Sequence, residues 1–200
     1  MTMTITISTA KAEDAAALAE CAAVTFPLAC PPDSRPEDVQ QHIATRLSAE
    51  QFRMSIATPG QTILCIRNGS TQHACLRDAE RGSEPIAGYS IIVLAQPTDD
   101  DVLGALSLAP VVELSKFYVR PEYHGRGAAA ALMSATLKLA AASGLPGVWL
   151  GVNQENARAI RFYTKNGFRR VGTKRFRLGD RFEDDFILEQ ALPVRSDLHA

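Results

Sequence analysis

The sequence predicts an α/β fold, a single domain on a mixed, mostly antiparallel sheet of about seven strands flanked by helices. Three observations carry this expectation. The apolar run Val111 to Val119 passes through a glycine turn into an alanine-rich stretch and then into a second apolar run, Val148 to Val152. That is the pattern of a strand, a crossover helix and a parallel strand, joined by a right-handed connection. Thr62 to Ile66 and Ile86 to Val93 read as strands with no helical segment between them, as hairpin neighbours do. Two closing strands, Arg169 to Arg177 and Phe182 to Leu188, meet at Leu178-Gly179-Asp180-Arg181, which reads as a hairpin turn.

Taken in order, Thr4 to Ser8 alternates polar and apolar residues and predicts the first strand. Ala10 to Ala23 is rich in Ala and Leu and predicts a helix. Ser34 before Pro36 signals a helix start, so Pro36 to Leu47 and Ala49 to Ile56 make further helices divided near Ser48. The polar stretch Asn68 to Glu84 is expected as a long hairpin loop between the next two strands. Thr98-Asp99-Asp100-Asp101 is expected as an exposed loop, and a helix is expected from about Arg126 to Ala142. The segment from Asn156 to Tyr163 then predicts a short helix, ended by Asn166-Gly167-Phe168 with Gly167 as a left-handed cap. No internal repeat is evident.

The 200 residues are 46% hydrophobic and 22% charged, enough for one substantial core. The expected domain covers residues 1–192, with 193–200 as a C-terminal tail. A net charge of −1 gives no bulk electrostatic case for nucleic acid or an anionic membrane. The N-terminus lacks the basic and long apolar regions of a signal peptide, and no run approaches the roughly 20 apolar residues of a membrane span. Cys21, Cys30, Cys65 and Cys75 are scattered, with no pair at zinc or redox spacing, so a metal site is not expected. Unpaired thiols and a cytoplasmic setting are the expectation. The last strand, left exposed, would offer an edge to a second copy and so a homodimer.

Two motifs carry chemistry. In Tyr123-His124-Gly125-Arg126-Gly127-Ala128-Ala129, glycines stand where a helix begins, so backbone N–H groups can converge on one anion at the positive end of the helix. The plainer reading is a turn and cap. In the second motif, Asn156, Ala159, Ile160 and Tyr163 are spaced by three, four and seven, which aligns an amide, a small residue and a phenol on one helix face. Asn156 also suits a helix N-cap, and Tyr163 a core tyrosine.

The order of strand, His-Gly-Arg-Gly-Ala-Ala, helix, strand, Asn-x-x-Ala-x-x-Phe-Tyr and Asn-Gly-Phe resembles the GNAT family of N-acetyltransferases. The match in motifs spans about Val111 to Phe168, and the order of elements extends it to nearly the whole chain. His124 stands where that family carries Gln or Arg, and Ala129 at the last motif position. The resemblance implies acetyl-CoA as co-substrate. Its pyrophosphate would lie on His124, Gly125, Arg126, Gly127, Ala128 and Ala129, with Asn156 nearby. Its pantetheine arm would lie between two splayed parallel strands, bonded to the main chain of Phe117, Tyr118 and Val119. It further implies that Tyr163 is the acid for the leaving thiolate and Glu113 a base acting through water. A Glu in a strand can equally be half-exposed or salt-bridged.

Acetyl transfer needs these groups for physical reasons. An alkylamine with a pKa near 10.4 is only about one part in a thousand neutral at pH 7, so a base must take its proton. The tetrahedral oxyanion needs N–H donors, and the thiolate needs an acid. Glu183, Asp184 and Asp185 are reserve bases, although an acidic run near a hairpin is usually a solvated face. Lys165, Arg169, Arg170, Lys174, Arg175 and Arg177 are expected to pair with that run across the hairpin, one of them with the cofactor's ribose phosphate as a lesser reading.

The stretch Arg177-Leu178-Gly179-Asp180, Asp184-Asp185 and Val148-Trp149-Leu150-Gly151-Val152 resembles the family branch of PaiA-type spermine and spermidine acetyltransferases. This implies a polyamine or another small amine as acceptor, with an acidic pocket from Glu113, Asp99 to Asp101 and the Glu183 cluster. A protein N-terminal or lysine acetyltransferase is the alternative, and a non-catalytic acyl-CoA sensor a further one. A dinucleotide-binding module is disfavoured, since its glycine turn follows the first strand and here the turn follows a late one.

Overall fold

The computed structural model describes residues 5–68 and 85–193. Thr4, the expected loop from residue 69 to Glu84, Cys75 and the tail beyond residue 193 lie outside the described residues. Seven strands form one sheet: β1 (Ile5–Thr9), β2 (Gln61–Asn68), β3 (Ile86–Val93), β4 (Val111–Val119), β5 (Gly147–Asn153), β6 (Arg169–Leu178) and β7 (Arg181–Ala191). Their order is β1-β2-β3-β4-β5-β7-β6, and among these pairs only β4 and β5 are parallel. Six α-helices join them: α1 (Ala15–Thr25), α2 (Pro36–Arg46), α3 (Ala49–Ala57), α4 (Asp100–Ala105), α5 (Ala128–Ala142) and α6 (Ala157–Lys165).

The sheet is covered on both faces. On one, Leu18 and Cys21 of α1 and Phe52 of α3 pack on Ile63, Cys65 and Tyr89. On the other, Leu132 and Met133 of α5 pack on strand residues that include Leu64, Ile66, Val112 and Leu150. Burial on both faces explains why β3 is a nearly continuous apolar run rather than an alternating one. Gly88 lets β3 and β4 lie close, since a Cβ there would come within 2.7 Å of the Tyr118 carbonyl oxygen.

Charged groups fix the chain at two junctions. Before α1, the buried Asp14 carboxylate accepts from the Lys11 backbone N–H at 2.8 Å and from Arg67 on β2 at 2.7 Å. Burial alone would raise this carboxyl, but the Arg67 and Lys11 hydrogen bonds outweigh it and hold it below the ordinary carboxylate range. Between α4 and β4, the fully buried Glu189 accepts from the backbone N–H groups of Ser107 and Leu108 at 2.9 and 2.8 Å, and Arg169 pairs with it at 3.0 Å. This anchors the start of β4 to β7.

Two expectations are corrected. The acidic stretch Asp99 to Asp101 is not a loop but the start of α4: the Asp99 carboxylate accepts from the Asp101 N–H at 3.0 Å, and Val102 is buried against Val111, Trp149 and Ile187. Acid residues in a first turn favour the positive helix end. The last strand is not an exposed edge, because β7 lies between β5 and β6 and the edge is β6. Leu178 and Arg181 do pair across a two-residue turn, with Gly179 at φ 60° seated on Asp38 of α2.

Candidate functional site

The site is a wedge in the sheet. β4 and β5 pair at only three positions, Val111↔Gly147, Val112↔Val148 and Glu113↔Trp149. Beyond them the pairing of β3 with β4 moves from Ile92↔Leu114 to Ile91↔Lys116, leaving Ser115 without an opposite residue. Such a bulge bends its strand. β5 meanwhile stays paired with β7 along its whole length, from Gly147↔Ala191 to Asn153↔Asp185. The two strands therefore splay as the resemblance implied. The backbone of residues 114–119 has no strand opposite it on the β5 side. A cavity of about 920 Å³ fills the wedge, from Gly125 and Ala129 at one end to Phe26, Cys30 and His42 at the other.

At the first end, Gly125 and Gly127 adopt φ of 72° and 81°, a left-handed backbone that a side chain strains. No heavy atom lies within 4 Å of a Cβ built at either glycine, so the turn faces open space. The first return bond of α5 runs from the Ala131 N–H to the Gly127 carbonyl, so the N–H groups ahead of it have no intrahelical partner. Arg126 is exposed, and the Ala128 side chain is buried with Leu132, which leaves only its backbone for a ligand. The His124 ring bridges two elements. Its Nε2 donates to the Val119 carbonyl at 2.8 Å, which leaves Nδ1 to accept from the Arg158 guanidinium at 2.9 Å. Asn156 caps α6, its Oδ1 accepting from the Ala159 N–H at 3.0 Å, while also lining the cavity.

At mid-cavity, Tyr163 lies among Phe117, Phe162 and Phe168, with ring centroids 5.7 to 6.2 Å from its own. Burial pushes its phenol well above the ordinary tyrosine value, so it is protonated at neutral pH. Phe117 and Tyr118 point to opposite faces, Phe117 toward α6 and Tyr118 toward Tyr89, 5.6 Å away. Burial also raises the Tyr118 phenol, with smaller contributions from Tyr163, Cys30 and Asp185, and all four line the cavity. Val119 is buried, and its carbonyl is the one His124 holds. Glu113 lines the cavity at the last β4–β5 pair.

The other end holds residues that the motifs did not mark. His42 on α2 stacks on Phe26 at 4.5 Å and meets Phe176 edge-on, and burial lowers its pKa. Lys116, just past the bulge, lines the cavity, and burial lowers its pKa too. Asp185 faces inward while Asp184 faces out. Strand parity would have found Asp185 had the register been known. His42 carries no local signal, because α2 reaches the site only through the tertiary fold. Among the acidic residues expected around an acceptor, Glu113, Glu183 and Asp185 line the cavity, whereas Asp99 is spent on capping α4 and on Lys174, 3.9 Å away. The basic strand pairs less simply than expected: Arg169 meets Glu189, Arg177 meets Asp180, and Arg170 and Arg175 stack on Phe186 and Phe182.

Among the described residues, no helix is long and apolar enough to cross a membrane. The model of the Acetyltransferase (GNAT) family matches residues 42–168. An uncharacterised N-acetyltransferase of Mycobacterium tuberculosis is 41% identical over 179 residues, covering 90% of this chain and 98% of that protein. The PaiA N-acetyltransferase of Thermoplasma acidophilum, solved in complex with coenzyme A, is similar with a TM-score of 0.70 at 21% identity, covering 94% of this chain and 99% of that one. The ribosomal-protein-S18-alanine N-acetyltransferase of Escherichia coli is similar with a TM-score of 0.63 at 18% identity, covering 98% and 99%. At such identities the likeness to solved structures is one of fold.

Proposed function

The chain belongs to the acetyltransferase (GNAT) family, and from that premise we propose that it transfers the acetyl group of acetyl-CoA directly to a primary amine. The observation that carries the reading is the splay of β4 from β5, a slot with unpaired backbone on one wall and a glycine turn at its mouth. The pantetheine arm would bond to the main chain of Phe117, Tyr118 and Val119. The pyrophosphate would take N–H groups from Gly125 to Ala129, where the open space at both glycines suits a bulky anion. The His124–Arg158 bridge holds this turn against α6 and keeps a cation beside it.

The chemistry follows from the residues at mid-cavity. The amine nitrogen attacks the thioester carbonyl, the C–S bond breaks, and the sulfur takes a proton from Tyr163, whose phenol is neutral at physiological pH. Glu113 is one carboxylate able to accept the amine proton through water. For the acceptor, the charges lining the far end are mixed: Glu113, Glu183 and Asp185 stand against Lys116, Lys174 and Arg177. A polyamine needs a field of one sign, so this mixture favours an amine with a single positive charge, on a small molecule or a peptide.

The test is coenzyme A release by the purified protein with acetyl-CoA and a panel of spermidine, aminoglycosides, monoamines and short peptides with free N-termini. Turnover with monoamines or peptides and not with spermidine is expected. Saturable acetyl-CoA binding without turnover on the whole panel would favour the non-catalytic sensor instead.

A further inference from the structure

Of the carboxylates lining the acceptor half of the cavity, Asp185 alone is more than nine-tenths buried, at 8% exposed. Among the described residues it makes no side-chain hydrogen bond and no ion pair. A charged group left so is costly unless something else requires it there. The surrounding strands are arranged to admit it. Its cross-strand partners are Asn153 on β5 and Lys174 on β6. Next to them on β5 stands Gly151, where a Cβ would lie 3.3 Å from Asp185 Oδ2 and 3.0 Å from Lys174 Cε. Lys174 is close enough to favour the charged form of Asp185, yet the ion pair its ammonium makes is with Asp99, 3.9 Å away. The carboxylate is left facing the cavity, in the surroundings that Tyr118 shares with Tyr163.

We infer that Asp185, rather than Glu113, binds the acceptor ammonium and removes its proton, an assignment that rests on the acetyl-transfer reading above. The balance is then complete. The ammonium gives one proton to Asp185, and the neutral amine forms the C–N bond as the carbonyl oxygen takes up negative charge. When the C–S bond breaks, the sulfur takes the Tyr163 proton. The second nitrogen proton restores the phenol through solvent, and the proton on Asp185 leaves to bulk water. Net, one ammonium and one thioester give one amide, one thiol and one proton.

Titration agrees with this role. Burial pushes the Asp185 carboxyl up to about 6, against Lys174 on β6 and helped by Glu183 and Asp184 on its own strand. It is charged at pH 7 and closer in basicity to its task than an ordinary Asp. The phenol that feels it, Tyr118 on β4, and the Tyr163 phenol on α6, which lines the same cavity, are both raised and stay neutral in this range.

The experiment is kcat/KM between about pH 5 and pH 9 for wild type, Asp185→Asn and Glu113→Gln, on whichever panel amine turns over, with coenzyme A affinity of each by calorimetry. The expected result is an acidic limb near 6 in wild type and in Glu113→Gln. Asp185→Asn is expected to lose that limb and about 100-fold in rate, with coenzyme A affinity unchanged. Asp185→Asn that keeps the limb, or loses coenzyme A affinity along with activity, overturns the assignment, since either marks a structural role. A wild type that binds coenzyme A yet releases none with any amine overturns the acetyl-transfer reading and this assignment with it.

Discussion

Tyr163 is surrounded by Phe117, Phe162 and Phe168, which fix its ring and leave its hydroxyl as the polar feature of that wall. Replacing it by Phe keeps the packing and removes one proton, so Tyr163→Phe is expected to lower kcat about 100-fold with coenzyme A affinity unchanged, measured by thiol release and calorimetry. Asp185 makes the opposite kind of prediction. Its carboxyl titrates near 6 in the folded chain, above the ordinary aspartate value, because burial disfavours its charged form and costs stability. That cost is absent at low pH, grows as pH rises through this window and is complete above it. Asp185→Asn is therefore expected to be more stable by roughly 2 kcal/mol at pH 8, a gain that shrinks toward pH 5, read from urea unfolding at both pH values. The place of Tyr163 on one helix face with Asn156 was legible in the spacing, and both line the cavity; the acid role came from the family resemblance. Asp185 stood only among three reserve bases, because consecutive acids beside a hairpin read as a solvated face until burial and the pairing with Asn153 and Lys174 show which one turns inward.

At the scale of elements, the glycine turn and α5 act together. Gly127 holds φ 81° immediately before α5, with nothing near its missing Cβ, so the cost of a side chain there is conformational rather than steric. Gly127→Ala is expected to lose about 1 kcal/mol of stability by thermal unfolding and, by shifting the free N–H groups, to weaken coenzyme A binding about tenfold in calorimetry. The start of α5 was expected two residues early, at Arg126, because the glycines need a left-handed backbone that composition alone does not assign. The short α4 was missed for a different reason. Six residues offer too little periodicity to stand out, and its acidic first turn, Asp99 to Asp101, looked like solvated loop, although acids at a helix start are also a start signal.

For the whole molecule, seven strands and one parallel pair could be read from local pattern, since a crossover through α5 leaves no other arrangement for β4 and β5. The insertion of β7 between β5 and β6 could not, because no local signal says which strand of a hairpin faces inward. That insertion matters to the site, as it places Asp185 beside the wedge and leaves β6 at the edge. The wedge itself has a thermodynamic corollary. A sheet that stops pairing after three residues of a nine-residue strand is, along the rest of that strand, an unfinished sheet. On the proposed reading its missing neighbour is the pantetheine arm, so occupancy would complete the architecture as well as the reaction. Saturating coenzyme A at about 100 times its dissociation constant is expected to add about 2.7 kcal/mol of stability, seen as a rise in Tm, with slowed hydrogen exchange at the amides of residues 114–119. On that reading the donor thioester would serve as a stabilising strand that the enzyme must surrender, in part, at the end of every turnover.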